Sequence, residues 1–185
     1  MPLLEQVDLG LTEEEFWRIQ GRRLDAVRPA IRELMRMALE EALPLLEPGF
    51  AYEMVEVERA GADGLVLRGG AILHSPALAA QMAPATRVAL GACTLGPRLE
   101  ARIGELMDQD AALAAGLDSV ATAAIDTLSA ELCRLVRQEA RLAGERSGVP
   151  FSPGEGDWPL ADQRTVLGLL PAGQLGISLR PDHLM

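Results

Sequence analysis

The sequence predicts an α+β fold, a small mostly antiparallel sheet packed on a long helix. Three observations carry this. Apolar residues recur at helical spacing through the first fifty positions, change to near alternation from Phe50 to Arg59, and return to helical spacing over an Ala- and Leu-rich stretch from Ala111 to about Gly144. The order of runs, α, β, β, α, β, α, α, loop, α, β, indicates a mixed domain whose sheet packs on the long helix. At 185 residues the chain is an ordinary length for one domain. The expectation is a single domain over 1–185 with a helical N-terminal region over about 1–49.

Thr12 followed by Glu13, Glu14 and Glu15 fits a capping box, with the Thr12 hydroxyl accepting the Glu15 amide and Glu15 reaching back to the Thr12 amide; a helix should begin there. Pro29 allows a new first turn. Ile31, Leu34, Met35, Ala38, Leu39, Ala42 and Leu43 then follow at helical spacing until Pro44 and Pro48-Gly49 end the pattern. Glu53, Glu56 and Glu58 interleave with apolar residues, and Ala60-Gly-Ala-Asp-Gly64 separates them from Leu65-Val-Leu67, which reads as a β-hairpin. Gly69-Gly70 and Ile72-Leu73 continue the sheet. Ser75-Pro76 caps a short helix over Ala77 to Met82, and Arg87 to Cys93 reads as a buried strand. Pro97 opens an amphipathic helix that Asp108 to Asp110 interrupts. The segment after it places Leu117, Val120, Ala121, Ala124, Ile125, Leu128, Leu132, Leu135 and Val136 on one stripe, with Ala residues that admit close packing. Thirty helical residues span about 45 Å, enough to serve as a spine. Leu175 to Leu179 reads as a closing short strand.

Composition removes several function classes. A formal charge of -10 and 3% aromatic residues leave neither a basic stripe for phosphates nor stacking platforms for bases, so nucleic acid is not an expected partner. Cys93 and Cys133 stand forty residues apart outside any CxxC or Cys/His pattern, and read as small buried hydrophobes of a reducing compartment. The first ten residues have no basic region followed by an apolar one, and charges, Pro or Gly interrupt each apolar run, so a cytoplasmic protein without a membrane anchor is expected. There is no Gly-x-Ser-x-Gly elbow and no phosphate-binding Gly loop. His74 and His183, the two histidines, read as structural, and no residue is expected to be catalytic or to hold a metal.

The stretch Phe151 to Gln163, FSPGEGDWPLADQ, interrupts this regular chain with Pro153, Gly154, Gly156 and Pro159 around Trp158 and three carboxylates. It reads either as a rigid turn that docks Trp158 on the core or as a surface that holds a ligand. Glu155, Asp157 and Asp162 lack the spacing of a Ca²⁺ loop and are expected to form a solvated acidic face.

Gly91-Ala-Cys-Thr-Leu-Gly96, then Asp110 and Leu117-Asp-Ser119, then Ser152-Pro-Gly-Glu-Gly-Asp-Trp-Pro-Leu160 with Gln163 and Leu169-Leu170, and finally Ile177-Ser-Leu179 form an ordered set. In that order and spacing they resemble the activation domain of cobalamin-dependent methionine synthase, and more closely the short stand-alone proteins related to it. The resemblance runs from about Tyr52 onward and is most specific over Gly91 to Leu179. It implies a protein supporting the S-adenosylmethionine-dependent reductive reactivation of cob(II)alamin in vitamin B12-dependent methionine biosynthesis. The cobalamin would be carried by a partner, a corrinoid-bearing methionine synthase or methyltransferase. It also implies that Ser152, Pro153, Gly154, Glu155, Gly156, Asp157 and Trp158 form the ligand-facing shelf, whose glycines let backbone groups approach a ligand while prolines fix the turns. Pro150 stands where the family pattern has an Arg suited to the carboxylate of S-adenosylmethionine, and Glu155 stands at its usual Tyr. A second implication is therefore a non-catalytic adaptor or cap for a corrinoid protein, with the fold kept and S-adenosylmethionine binding lost.

Overall fold

The structure is a computed structural model and describes residues 3–179. Its elements run β1 (Leu3–Glu5), α1 (Glu13–Ile19), α2 (Pro29–Ala42), β2 (Gly49–Gly61), β3 (Gly64–Leu67), β4 (Ile72–Leu73), α3 (Pro76–Met82), β5 (Arg87–Thr94), α4 (Arg98–Leu106), α5 (Ala111–Leu142) and α6 (Gln163–Gly168). This is the α+β class the sequence predicts, with a small antiparallel sheet and one long helix. The sheet runs β1-β2-β3-β4, with β5 also paired to β2. The chain forms two compact units: Leu4–Gly49 with Cys93–Glu131, and Phe50–Ala92 with residues 132–179.

In the helical unit, the Thr12 hydroxyl accepts the Glu15 amide at 3.2 Å, which starts α1 as expected. The return half of the capping box does not form, because the Glu15 carboxylate instead pairs with the Arg18 guanidinium through Nε at 2.8 Å and through Nη2. A two-point bond between ionised groups outcompetes a single bond to an amide. The core gathers Phe16 and Trp17 of α1, Met35, Ala38, Leu39 and Ala42 of α2, Leu99 and Leu106 of α4, and Leu113, Leu117, Val120, Ala123 and Ala124 of α5. At Gly116 a Cβ would lie 3.0 Å from the Ala38 Cβ, so α2 and α5 approach closely where the sequence is smallest. Met37 and Met107 are exposed.

In the sheet-bearing unit, β2 and β3 are antiparallel, pairing Val57 with Leu67, Arg59 with Val66 and Gly61 with Gly64, with a register shift between Val57 and Arg59. Gly64 has φ +128°, and a Cβ there would meet the Leu73 carbonyl oxygen at 2.1 Å; no other residue fits this corner. β4 returns antiparallel to β3, pairing Leu65 with Leu73. Leu65, Leu67, Leu73, Leu78, Leu90, Trp158, Val166 and Leu170 form the core. From residue 132 onward α5 belongs to this unit, where Ala140 is buried and Glu139 accepts a hydrogen bond from the Tyr52 hydroxyl at 3.0 Å.

The strand expected over Leu175 to Leu179 is absent. Ala172–Leu175 forms a 3-10 turn that Gly176 closes at φ +70°, with the Ile177 amide donating back to the Ala172 carbonyl at 3.0 Å. The left-handed glycine turns the chain, and Ile177 meets the core from irregular backbone. Neither cysteine is in a disulfide, and both are half-buried rather than fully buried. α5, at 32 residues and mean hydropathy 1.3 over its most apolar window, is long and apolar enough by length and composition to cross a membrane. Its stripe from Leu113 to Leu128 supplies much of the protein's own core, as a core helix of a folded protein also would.

Candidate functional site

α5 ends in a left-handed turn. Gly144 has φ +73°, its amide donates to the Arg141 carbonyl, and the Glu145 amide reaches the Ala140 carbonyl at 2.8 Å. Residues 145–150 are exposed and irregular, and Phe151 returns the chain to the core.

The loop then closes on itself in two tight turns. The Glu155 amide donates to the Ser152 carbonyl at 3.0 Å, the Trp158 amide to the Glu155 carbonyl at 3.0 Å, and the Gly154 amide to the Trp158 carbonyl at 2.8 Å. Gly154 and Gly156 sit at φ +98° and +59°, which the double turn requires. The Glu155 carboxylate folds back to accept the Ser152 amide at 2.9 Å.

Two carboxylates tie this loop to the junction between β4 and α3. Asp157 accepts the Ser75 hydroxyl on one oxygen and the Ala77 amide, at 3.0 Å, on the other. Ser75, buried, also accepts the Leu78 amide at 3.0 Å, so Ser75 and Asp157 together satisfy the first turn of α3. Hydrogen bonding from Ser75 first, then from the Ala77 amide, holds the Asp157 carboxyl below its ordinary range. Asp162 is buried at 6% exposure and gathers three groups. One oxygen accepts the His74 amide at 2.5 Å and the Trp158 indole N–H at 3.0 Å, and the other lies 2.9 Å from His74 Nδ1. Both anchors bind consecutive residues, His74 and Ser75.

The expected site residues therefore come together in one loop but do not face one way. Ser152, Gly154, Glu155 and Gly156 are exposed, Pro153 is half-buried, Asp157 is exposed with both oxygens engaged, and Trp158 is buried. The solvated acidic face expected from Glu155, Asp157 and Asp162 is corrected at Asp162: its partners lie 88 residues earlier and on the indole, and they draw it into the core. His74 and Ser75 are the participants that sequence spacing alone does not connect to the loop, although Ser75-Pro76 is legible as a helix start. His183 lies outside the described residues.

Positions 150–158 carry no cationic side chain, and the Glu155 carboxylate lies over the turn on the Ser152 amide. The amino-acid carboxylate of S-adenosylmethionine finds no charge partner in this segment, so the loop does not fit that molecule in the way the family pattern would hold it. Among the described residues, no three His, Cys, Asp or Glu side chains gather in a group able to hold a metal ion. No protein-family model and no curated protein matches the chain.

Proposed function

We propose that this chain is an activation-domain-like protein that works in trans on a corrinoid-bearing methionine synthase or methyltransferase, in the adaptor or cap form of that role. One observation carries the choice between the two forms. Asp157 and Trp158, two of the seven residues of the ligand-facing shelf, are spent on fixing the loop, Asp157 to Ser75 and Ala77 and Trp158 to the Asp162 carboxylate that also binds His74, and what remains outside is a shelf of Ser152, Gly154, Glu155 and Gly156 without a cation. A surface ordered before contact loses little conformational entropy on docking, which suits recognition of a protein. The corrinoid and its methyl chemistry stay with the partner.

S-adenosylmethionine-dependent reactivation of cob(II)alamin is the second reading. The order of motifs from Gly91 to Leu179 favours it, as do two positive-φ glycines that leave backbone groups of the shelf approachable. The test mixes the chain with cob(II)alamin-loaded methionine synthase lacking its own activation domain, together with S-adenosylmethionine and a one-electron donor. The adaptor form gives a stable complex and no rise of methylcobalamin absorbance above the partner alone. A chain-dependent rise establishes the second reading, and failure to form any complex overturns both.

A further inference from the structure

The helical unit contains a cavity of about 450 Å³ lined by residues of α1, of the segment between α1 and α2, of α2 and of α5. This lies within the roughly 300–1,000 Å³ typical of small-molecule pockets. Phe16, Trp17, Ala26, Val27, Ile31 and Met35 form the apolar part of its wall, and Gln20, Ser119 and two arginines the polar part. Trp17 is 5% exposed, and its indole N–H is buried without a hydrogen-bond partner. A buried donor left unpaired is unfavourable.

The charges at this cavity oppose those of the whole chain. The protein carries a net charge of -10, yet no Asp or Glu lines the cavity, whereas Arg22 and Arg28 do. Neighbouring Arg23 and Arg32 are taken by Asp25 and Glu13, but among the described residues Arg22 and Arg28 have no acidic partner. Backbone geometry fixes where both stand. Gly21, at φ +65°, closes α1 with its amide on the Arg18 carbonyl, and the Arg22 amide bonds the Trp17 carbonyl at 2.9 Å, which ties the Arg22 backbone to that of Trp17. Arg28 precedes Pro29 at the start of α2, whose first turn contains no acidic residue. The two guanidinium groups and the helix start favour an anion there.

We propose that this cavity binds a small amphipathic carboxylic acid, with its apolar body against Phe16, the Trp17 ring, Val27, Ile31 and Met35 and its carboxylate held by Arg22 and Arg28. The site is separate from the 151–163 loop and independent of the adaptor reading. The test uses octanoate and decanoate, with decanol as the uncharged comparison, titrated into the full-length chain by calorimetry and followed by the two indole N–H resonances in NMR. Decanoate should bind saturably and more tightly than decanol, and should shift the Trp17 indole resonance, assigned by its loss in Trp17→Phe, while leaving that of Trp158 in place. Arg22→Gln and Arg28→Gln, both at exposed positions that should leave the fold intact, should each weaken decanoate by roughly tenfold or more and leave decanol unchanged, the effect of losing one bond to a charged group. No binding at millimolar decanoate, equal affinity for decanol, or an unmoved Trp17 resonance would each overturn the proposal.

Discussion

Asp162 gathers His74 and Trp158 on one buried carboxylate, and removing it strands two donors. Asp162→Ala should cost about 1–3 kcal/mol, the penalty for a buried donor left unsatisfied, read from the midpoint of urea unfolding. An unchanged midpoint would mean that water replaces the carboxylate. Trp158→Ala removes a side chain that is 7% exposed and should cost about 3–5 kcal/mol by the same measurement. Asp157 gives a pH test. Its carboxyl is held below the ordinary range in the folded chain, so its contribution is present above the unfolded value of about 3.9 and is lost as pH falls through the folded one. The protection factor of the Ala77 amide, the slowing of its exchange relative to the unfolded chain at the same pH, should therefore begin to fall below about pH 4 in the native chain, and should already be low near neutrality in Asp157→Ala. The individual residues of the loop are legible in the sequence as a rigid turn. Which carboxylate is buried is not, because the deciding partners lie 82 and 88 residues earlier in the chain, and no local period reports them.

At the scale of elements, α5 concentrates the small residues that let other helices approach. Ala123 and Ala124 are fully buried, and Gly116 stands against Ala38. Ala124→Leu should overpack the core around this fully buried position and cost about 1–3 kcal/mol, and an unchanged thermal midpoint would contradict that. The hairpin is equally sharp at its corner: Gly64→Ala puts a methyl group into the Leu73 carbonyl at a positive φ, and should cost at least about 1–3 kcal/mol in urea unfolding. Long periodic elements were legible for a physical reason. The stripe of α5 and the alternation of β2 repeat their signal over many residues, and the caps at Thr12, Pro29 and Ser75 mark element starts with local chemistry. The short elements were not. β1 is three residues long and owes its existence to pairing with β2, whereas Leu175 to Leu179 has strand-like residues but a glycine that turns the chain.

For the whole molecule, the α+β class followed from the order of helical and extended periods along the chain, since each period fixes which face of its element must be buried. The functional reading has a different footing. It rests on the order of motifs and on a loop tied from beneath, with Glu155 exposed on it and Asp157 exposed but engaged by Ser75 and Ala77. Affinity of the chain for cob(II)alamin-loaded methionine synthase without its activation domain, measured by sedimentation for the native chain and for Glu155→Arg, tests that reading most directly. If the shelf is the docking surface, the native chain forms a one-to-one complex. The variant, whose melting temperature should stay within a few degrees of the native value because Glu155 is exposed, should then bind at least roughly tenfold more weakly, a loss near the 1.4 kcal/mol that one decade represents. A complex of equal strength with both proteins, or none with either, would contradict it.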